Sequence, residues 1–348
     1  MGVLKIGKMT SKEIIKRIIH HNNPPRVGFN FTGNNPSDIL TAPGVKLIRP
    51  DALAYADWGY YPEILAQVPW FKGEVRIVAD GSIYGRLDGK TKGECVKGAL
   101  QDGWELLGEY TLPVIDEEYN QKIHDSNYGQ SDKYVLMGLP IAVFSPIRDM
   151  RHMDNALMDI LLEPENICRL LDKLTDLSVE IIGKFAENGA DGVMIWDDLG
   201  MQHTLFFSPD SFREVFKPYY KKLADAIHSR GMDFFVHSCG KVTELIPDFI
   251  EVGVDVFQFD QPELHDSMYL SEKFGKQAAF YCPVDIQKIM STGDKKVIEE
   301  GAKYMVDSFK ACGGSLIAKD YWPWSDINVE DEWAQWARDE IIRNANMD

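Results

Sequence analysis

From about residue 192 onwards the chain repeats one pattern: a run of consecutive apolar residues, a polar cluster, then a stretch whose apolar positions recur three and four apart. GVMIWDD, DFFVHSCG, VDVFQFDQPE, AAFYCPVDIQ and SLIAKDYWPW are the five apolar runs. Runs apolar at both parities predict strands buried on both faces, which is the condition of a parallel sheet covered by helices. The first of the intervening helices is predicted to start at Ser208-Pro209, a good N-cap followed by proline at the first helical position. The periodicity of Val242, Leu245, Ile246, Phe249 and Ile250 predicts a helix of about 11 residues from Lys241.

An open doubly wound sheet and a closed barrel share this rhythm. No glycine-rich phosphate loop of the G-x-G-x-x-G or G-x-x-x-x-G-K type stands at any strand-to-helix junction. Each of the five runs ends instead in chemically capable residues: Asp197-Asp198, His237 with Cys239, Asp260-Gln261, Cys282 with Asp285, and Lys319-Asp320. Only a barrel gathers all such ends at one mouth, so the expected fold is an α/β (β/α)₈ TIM barrel. In the first half, RVGFNF reads as the first strand and EVRIVADGSIYGRLDG as a hairpin turning at Asp80-Gly81. Residues 50–130 are expected to form an elaboration that caps the barrel, and YVLMGLPIAVF returns to it. No linker interrupts the chain, so 1–348 is read as a single domain.

The 348 residues are 45% hydrophobic and 26% charged, which suits a soluble chain with a large core. A net charge of −17 without clustered Lys or Arg excludes a nucleic-acid partner and disfavours an anionic membrane surface. The opening MGVLKIGKMTSKEIIKRIIHHNN reads as an amphipathic helix rather than a signal peptide, and no apolar run is long enough for a bilayer, so a cytoplasmic location is expected. Five widely spaced cysteines suit reduced thiols and a metal site better than a disulfide framework.

HSCG is the strongest chemical signal. His237 and Cys239 are two apart at a strand end and so point to the same side, offering the nitrogen and thiolate sulfur that zinc prefers. Cys282, at the end of the next strand but one, is the first candidate for a third ligand. Cys95, Cys168 and Cys312 stand in sequence read as helical and are taken as structural. Of Asp197 and Asp198 at most one can face inwards. Either could be a general acid, a partner orienting His237 or a metal ligand, and the other would hold the following loop. Asp198 and Asp320 are also candidates for a fourth ligand. Trp58, Trp196, Tyr321, Trp322 and Trp324 are aromatic residues expected around the mouth, and Trp58, Trp196, Gln202, Gln261, Tyr321 and Trp322 are the candidate substrate-binding set. His152, His203 and His265 lack ligand-like spacing and are read as surface or packing residues.

The block FSPDSFREVFKPYYKKLADAIHSRGMDFFVHSCGKVTELIPDFIEVGVDVFQFDQP, with IWDDLGMQ before it and VDIQKIMSTGDKKVIEEG after it, resembles the uroporphyrinogen decarboxylase superfamily and, within it, the corrinoid-dependent methyltransferase branch. HSCG looks like the H-x-C-G zinc motif of that branch. Two departures stand out. The R-Q-A-G-R-Y segment with which true uroporphyrinogen decarboxylases hold substrate carboxylates is replaced by NFTGNNPSD. The last zinc cysteine of the coenzyme-M-type methyltransferases has no counterpart in LIAKDYWPW. The resemblance implies zinc-dependent methyl transfer between a small methylated substrate, a phenyl methyl ether being favoured, and a corrinoid (cobalamin) carried by a partner protein, with homodimers common in the superfamily. The alternatives are a metal-free lyase of the decarboxylase kind and a non-catalytic barrel that binds a small molecule.

Overall fold

The computed structural model describes residues 9–87 and 91–347. Eight strands form one sheet: β1 (Gly28–Asn30), β2 (Ile39–Ala42), β3 (Tyr134–Gly138), β4 (Gly192–Trp196), β5 (Asp233–His237), β6 (Val256–Gln258), β7 (Ala279–Cys282) and β8 (Leu316–Lys319). Every ladder is parallel: those from β2 to β8 join sequence neighbours, and β1 pairs with β8. The ring is a TIM barrel, nearly closed. Between β1 and β2 the ladder gives way to an antiparallel bridge, Asn30 to Ser37, and a bond from Asp38 N–H to Phe29 C=O at 2.7 Å. The link between these two strands is too short for a crossover helix, which is why they meet in this irregular way.

Strand alternation divides the core in two. Tyr134, Leu136, Met194, Phe235, Val256, Ala279, Tyr281 and Ile317 form one buried cluster. Rings of that cluster from alternate strands touch, Tyr134 with Phe235 at 5.9 Å and Phe235 with Tyr281 at 6.1 Å, so this cluster is the barrel interior. The opposite parity, including Val135, Ile195, Phe234, Val236, Phe280 and Cys282, belongs to the larger core shared with the surrounding helices. Helix Ser11–Ile19 closes the lower end. Its Ile14, Ile15, Ile18 and Ile19 join the interior cluster, while Lys12 and Lys16 pair with Asp191 at 2.8 and 3.2 Å. Thr10 and Glu13 make a reciprocal capping box that starts this helix there. Residues 1–8 of the expected N-terminal helix lie outside the described residues.

Between β2 and β3 the chain builds a small three-stranded sheet, Glu74–Ile77, Ile83–Arg86 and Glu94–Lys97, over its own apolar cluster of Ile64, Val68, Val75, Ile83 and Val96. The expected hairpin turns at Gly81, whose φ of +90° suits glycine. Its last two residues, Asp88 and Gly89, lie outside the described residues. Cys95 sits in the third of these strands rather than in a helix. Bonds from Tyr84 Oη to Asp149 at 2.7 Å and from Cys95 Sγ to the Asp149 carbonyl at 3.2 Å tie this cap to the barrel above β3. No helix of the described residues is long and apolar enough to cross a membrane.

Candidate metal centre at the barrel mouth

Parallel register places Trp196, His237 and Gln258 side by side at the upper ends of β4, β5 and β6. Phe235 is inward, so His237, two residues on, is inward as well. Continuing two residues along each strand brings Asp198, Cys239 and Asp260 into a second row above the first. One atom each from Asp198, His237 and Cys239 lies within 4.8 Å of the others. His237 Nε2 is 3.3 Å from Asp198 Oδ1 and 3.4 Å from Cys239 Sγ.

These spacings fit a metal. Zinc bonds of about 2.0–2.3 Å arranged tetrahedrally put neighbouring donors roughly 3.3–3.7 Å apart. Nitrogen, sulfur and carboxylate oxygen are all zinc donors, and three protein ligands leave one position for water or substrate. A pocket of about 80 Å³, lined in part by Cys239, Asp260, Gln261 and Tyr321, opens beside the cluster.

The loops hold this arrangement through backbone contacts. Asp198 Oδ1 accepts the Cys239 N–H at 2.8 Å, Ser238 Oγ accepts the Leu199 N–H at 3.0 Å, and Lys241 N–H reaches the Met201 carbonyl at 2.8 Å. Gly240, at φ +77°, crosses Gly200 so closely that a Cβ would stand 2.1 Å from the Gly200 oxygen. The glycine of HSCG therefore lets the loop bearing Cys239 lie on the loop bearing Asp198. The same crossing delays the next helix, which begins as a 3₁₀ turn at Thr243 and becomes α-helical over Ile246–Val252 instead of starting at Lys241.

His237 is oriented from behind. Its Nδ1 bonds Gln258 Oε1, Gln258 Nε2 donates to Asp260 Oδ1 at 2.7 Å, and Lys319 Nζ holds the same oxygen at 3.1 Å. An acceptor on Nδ1 fixes the proton there and leaves the Nε2 lone pair for a metal. Without metal, burial opposes the charge on His237, but hydrogen bonds to Asp198 and Cys239 outweigh it and raise its pKa to about 10. Asp198 answers this. Burial pushes its carboxyl up, and the bond and charge of His237 hold it well below the usual carboxylate range. Burial pushes the Cys239 thiol up. Gln258→Leu is expected to weaken zinc binding about 10- to 100-fold while Gln258→Glu retains it, read by competition with a chelator; equal affinities in the Leu variant and wild type would remove Gln258 from this role.

Several expected site residues lie elsewhere. Cys282 does not join the cluster: it follows Tyr281, whose ring is inside the barrel, so its sulfur faces the helices, fully buried, and burial pushes its thiol up to about 12. The third donor beside His237 and Cys239 is Asp198. Asp197 points outwards and accepts the N–H groups of Val143, Phe144 and Ser145, so it caps helix Phe144–Arg151 instead of facing the mouth. Asp320 is engaged by Arg338 and by Thr32, and Asp285 by the backbone of Glu263, Gln287 and Lys288. Gln202 donates to Gln261 at 3.3 Å on the rim beside Cys239.

The aromatic residues separate likewise. Tyr321 lines the pocket at Cys239 and also a cavity of about 720 Å³ under the cap sheet. Trp196 forms part of a second cavity, of about 490 Å³, on the β3 side. Trp58 lies in the cap against Arg76 and Arg86, Trp322 projects to solvent at 67% exposed, and Trp324 is buried. His265 stacks on Phe259 at 4.4 Å and bonds Thr243, a packing role. Gln258 escaped the sequence reading, although a glutamine inside VDVFQF, where both strand faces are apolar, was the available signal.

Comparison with known proteins bears on the family and the fold. A model of the uroporphyrinogen decarboxylase (URO-D) family matches residues 127–318. The uroporphyrinogen decarboxylase of Syntrophotalea carbinolica is 31% identical over 85 residues, 24% of this chain and 24% of that protein, so the match spans about a quarter of the relative's length. A solved structure of a methyltransferase from Methanosarcina mazei superimposes with a TM-score of 0.62 over 96% of this chain and 100% of that one, at 16% identity, which shows a shared fold. With the family match running from just before β3 into β8, across the whole HSCG region and more than half of the chain, the chain belongs to the uroporphyrinogen decarboxylase family.

Proposed function

We propose that this protein is a zinc-dependent methyltransferase that moves a methyl group between a small methylated substrate and the corrinoid of a partner protein. The observation that carries the reading is the triad His237, Cys239 and Asp198, whose donor spacings suit zinc and whose free side opens into the pocket by Tyr321. The fold shared with a methyltransferase supports it. Zinc bound there would act as a Lewis acid, polarising an ether oxygen or holding a thiol as thiolate.

The chain's own residues do the rest. Gln258, Asp260 and Lys319 fix the His237 ring, and the crossed loops at Gly200 and Gly240 hold Cys239 over Asp198. Tyr321 and Gln261 wall the space where the reacting oxygen would sit. A phenyl methyl ether is the favoured donor, because the final strand LIAKDYWPW supplies no further cysteine and aromatic rings, Trp196 in one cavity and Tyr321 in another, edge the mouth. In that reaction the methyl–oxygen bond would break, with the methyl group going to the reduced corrinoid of the partner protein and the phenolate taking a proton from water to leave as a phenol. Elemental analysis of the purified chain is expected to give about one zinc per chain. Methoxyaromatics added with reduced corrinoid protein should then change the cobalt absorption in proportion to phenol released. A chain that neither contains nor takes up zinc would end this reading.

A further inference from the structure

The cavity of about 490 Å³ between the cap and the ends of β3 and β4 is bounded by Leu139, Pro140, Ile141, Ala142, Pro146 and Trp196, with Arg76 entering from the cap. Two arginines lie against Trp58 at nearly the same distance, Arg76 at 4.5 Å and Arg86 at 4.6 Å. Arg86 is paired with Glu74 at 2.8 Å. Arg76 has no ion pair or hydrogen bond among the described residues, and its Nε is buried without a partner. Arg76 is half-buried, and its Nε–H, buried without an acceptor, carries an uncompensated desolvation cost that an anion bound to the guanidinium relieves. Its planar fork matches one carboxylate with two parallel bonds.

The rest of the lining narrows the ligand. Asp149, in the same wall, is already held by Tyr84 and Arg148, and Asp80 accepts the Ser82 N–H at 2.7 Å. Asp80 beside a single arginine that no carboxylate pairs among the described residues disfavours a polyanion and tolerates a monoanion. The apolar walls and the half-exposed Trp196 indole suit a flat apolar body. Trp196 stands beside His237 in the strand register, so a ligand in this cavity lies next to the candidate metal centre.

We propose that this cavity is the recognition site for an organic monocarboxylate with a flat apolar body, and that Arg76 binds its carboxylate. The inference names the substrate class of the methyl-transfer reading and rests on it for what the bound anion is for. Binding itself requires neither zinc nor methyl transfer.

The test is calorimetric titration of the full chain, zinc-loaded and chelator-treated, with benzoate, 4-methoxybenzoate and neutral methoxybenzene. Both carboxylates are expected to bind with and without zinc, with methoxybenzene at least about tenfold weaker. Arg76→Leu should weaken the carboxylates about 10- to 100-fold and leave methoxybenzene unchanged, and Arg76→Lys should fall between, with circular dichroism confirming the fold of both. Carboxylate binding that disappears on chelation would place the anion on the metal and overturn the proposal. So would equal binding of acid and neutral ether, undiminished binding to Arg76→Leu, or no binding of either acid. Loss of methyl transfer with this pattern intact would instead refute the reaction and spare the site.

Discussion

Cys239→Ala is expected to yield a folded protein that no longer retains zinc. The thiol stands at the exposed edge of the cluster, so its removal leaves no cavity in the core. Structural zinc sites supply roughly 10–16 kcal/mol in all, and one of three protein ligands should account for about 3–4 kcal/mol of that, a loss of several hundred-fold or more in affinity. Cobalt(II) gives the cleaner measurement, because thiolate ligation produces intense visible absorption that Cys239→Ala should abolish. Cys282→Ala should keep the full spectrum, since that sulfur faces the helices. A spectrum lost with Cys282 and kept without Cys239 would reverse the assignment.

The same centre should respond to pH in opposite directions with and without metal. In the metal-free protein His237 has its pKa raised from 6.5 to about 10, burial being outweighed by the bonds to Asp198 and Cys239. A group whose pKa rises on folding stabilises the fold fully below its unfolded value and loses that contribution as pH climbs through the folded one. Chelated protein should therefore weaken between about pH 6.5 and 10 from this group. Zinc must displace the protons on His237 and Cys239, so its apparent affinity should climb over the same interval, by up to roughly two logarithmic units per pH unit. Melting curves at both ends of the interval, with chelator and with zinc, would show the gap between the two forms widening with pH; a constant gap would mean that no proton is exchanged for the metal.

The barrel was legible because its later strands are apolar at both parities and each ends in polar groups, a combination that closes on one mouth. β2 was not, since Ile39–Ala42 is four residues long and no helix separates it from β1. His237 with Cys239 could be paired from spacing alone. Cys282 misled for a definite reason: in AAFYC both Phe280 and Tyr281 are good core residues, so periodicity fixes that the strand is buried without fixing which parity faces the barrel axis. Only Tyr281 meeting Phe235 inside the barrel settles the phase, and it turns Cys282 outwards. The pair Asp197-Asp198 posed the same question of phase, and the structure answers it with Asp198 beside His237. Arg76 carries no sequence signal, because its distinction is a buried Nε without a hydrogen-bond partner among the described residues, which only tertiary structure reveals.

Asp197→Ala should be the most destabilising single change near the mouth although it touches nothing that reacts. The carboxylate is fully buried and takes five donors: the N–H groups of Val143, Phe144 and Ser145 at 3.0, 2.9 and 2.7 Å, Ser145 Oγ at 2.9 Å, and the Tyr220 hydroxyl. Burial pushes its pKa up, while Tyr220 and the backbone donors pull it down. The three N–H groups are orphans of a helix start, which no intrahelical carbonyl can satisfy, so the side chain just past the end of β4 performs a cap that the segment before Phe144 lacks. Removing it strands these donors away from water and should cost about 3–5 kcal/mol, read from the denaturant midpoint. Asp197→Asn keeps the shape but presents an amide NH₂ to groups that all donate, so it should recover only part of the loss. Zinc binding per folded molecule should persist in both variants, because Asp198, His237 and Cys239 are held by the crossing at Gly200 and Gly240. An Asn variant as stable as wild type would show that charge on Asp197 is dispensable, and loss of zinc from a folded Ala variant would make the cap part of the metal centre.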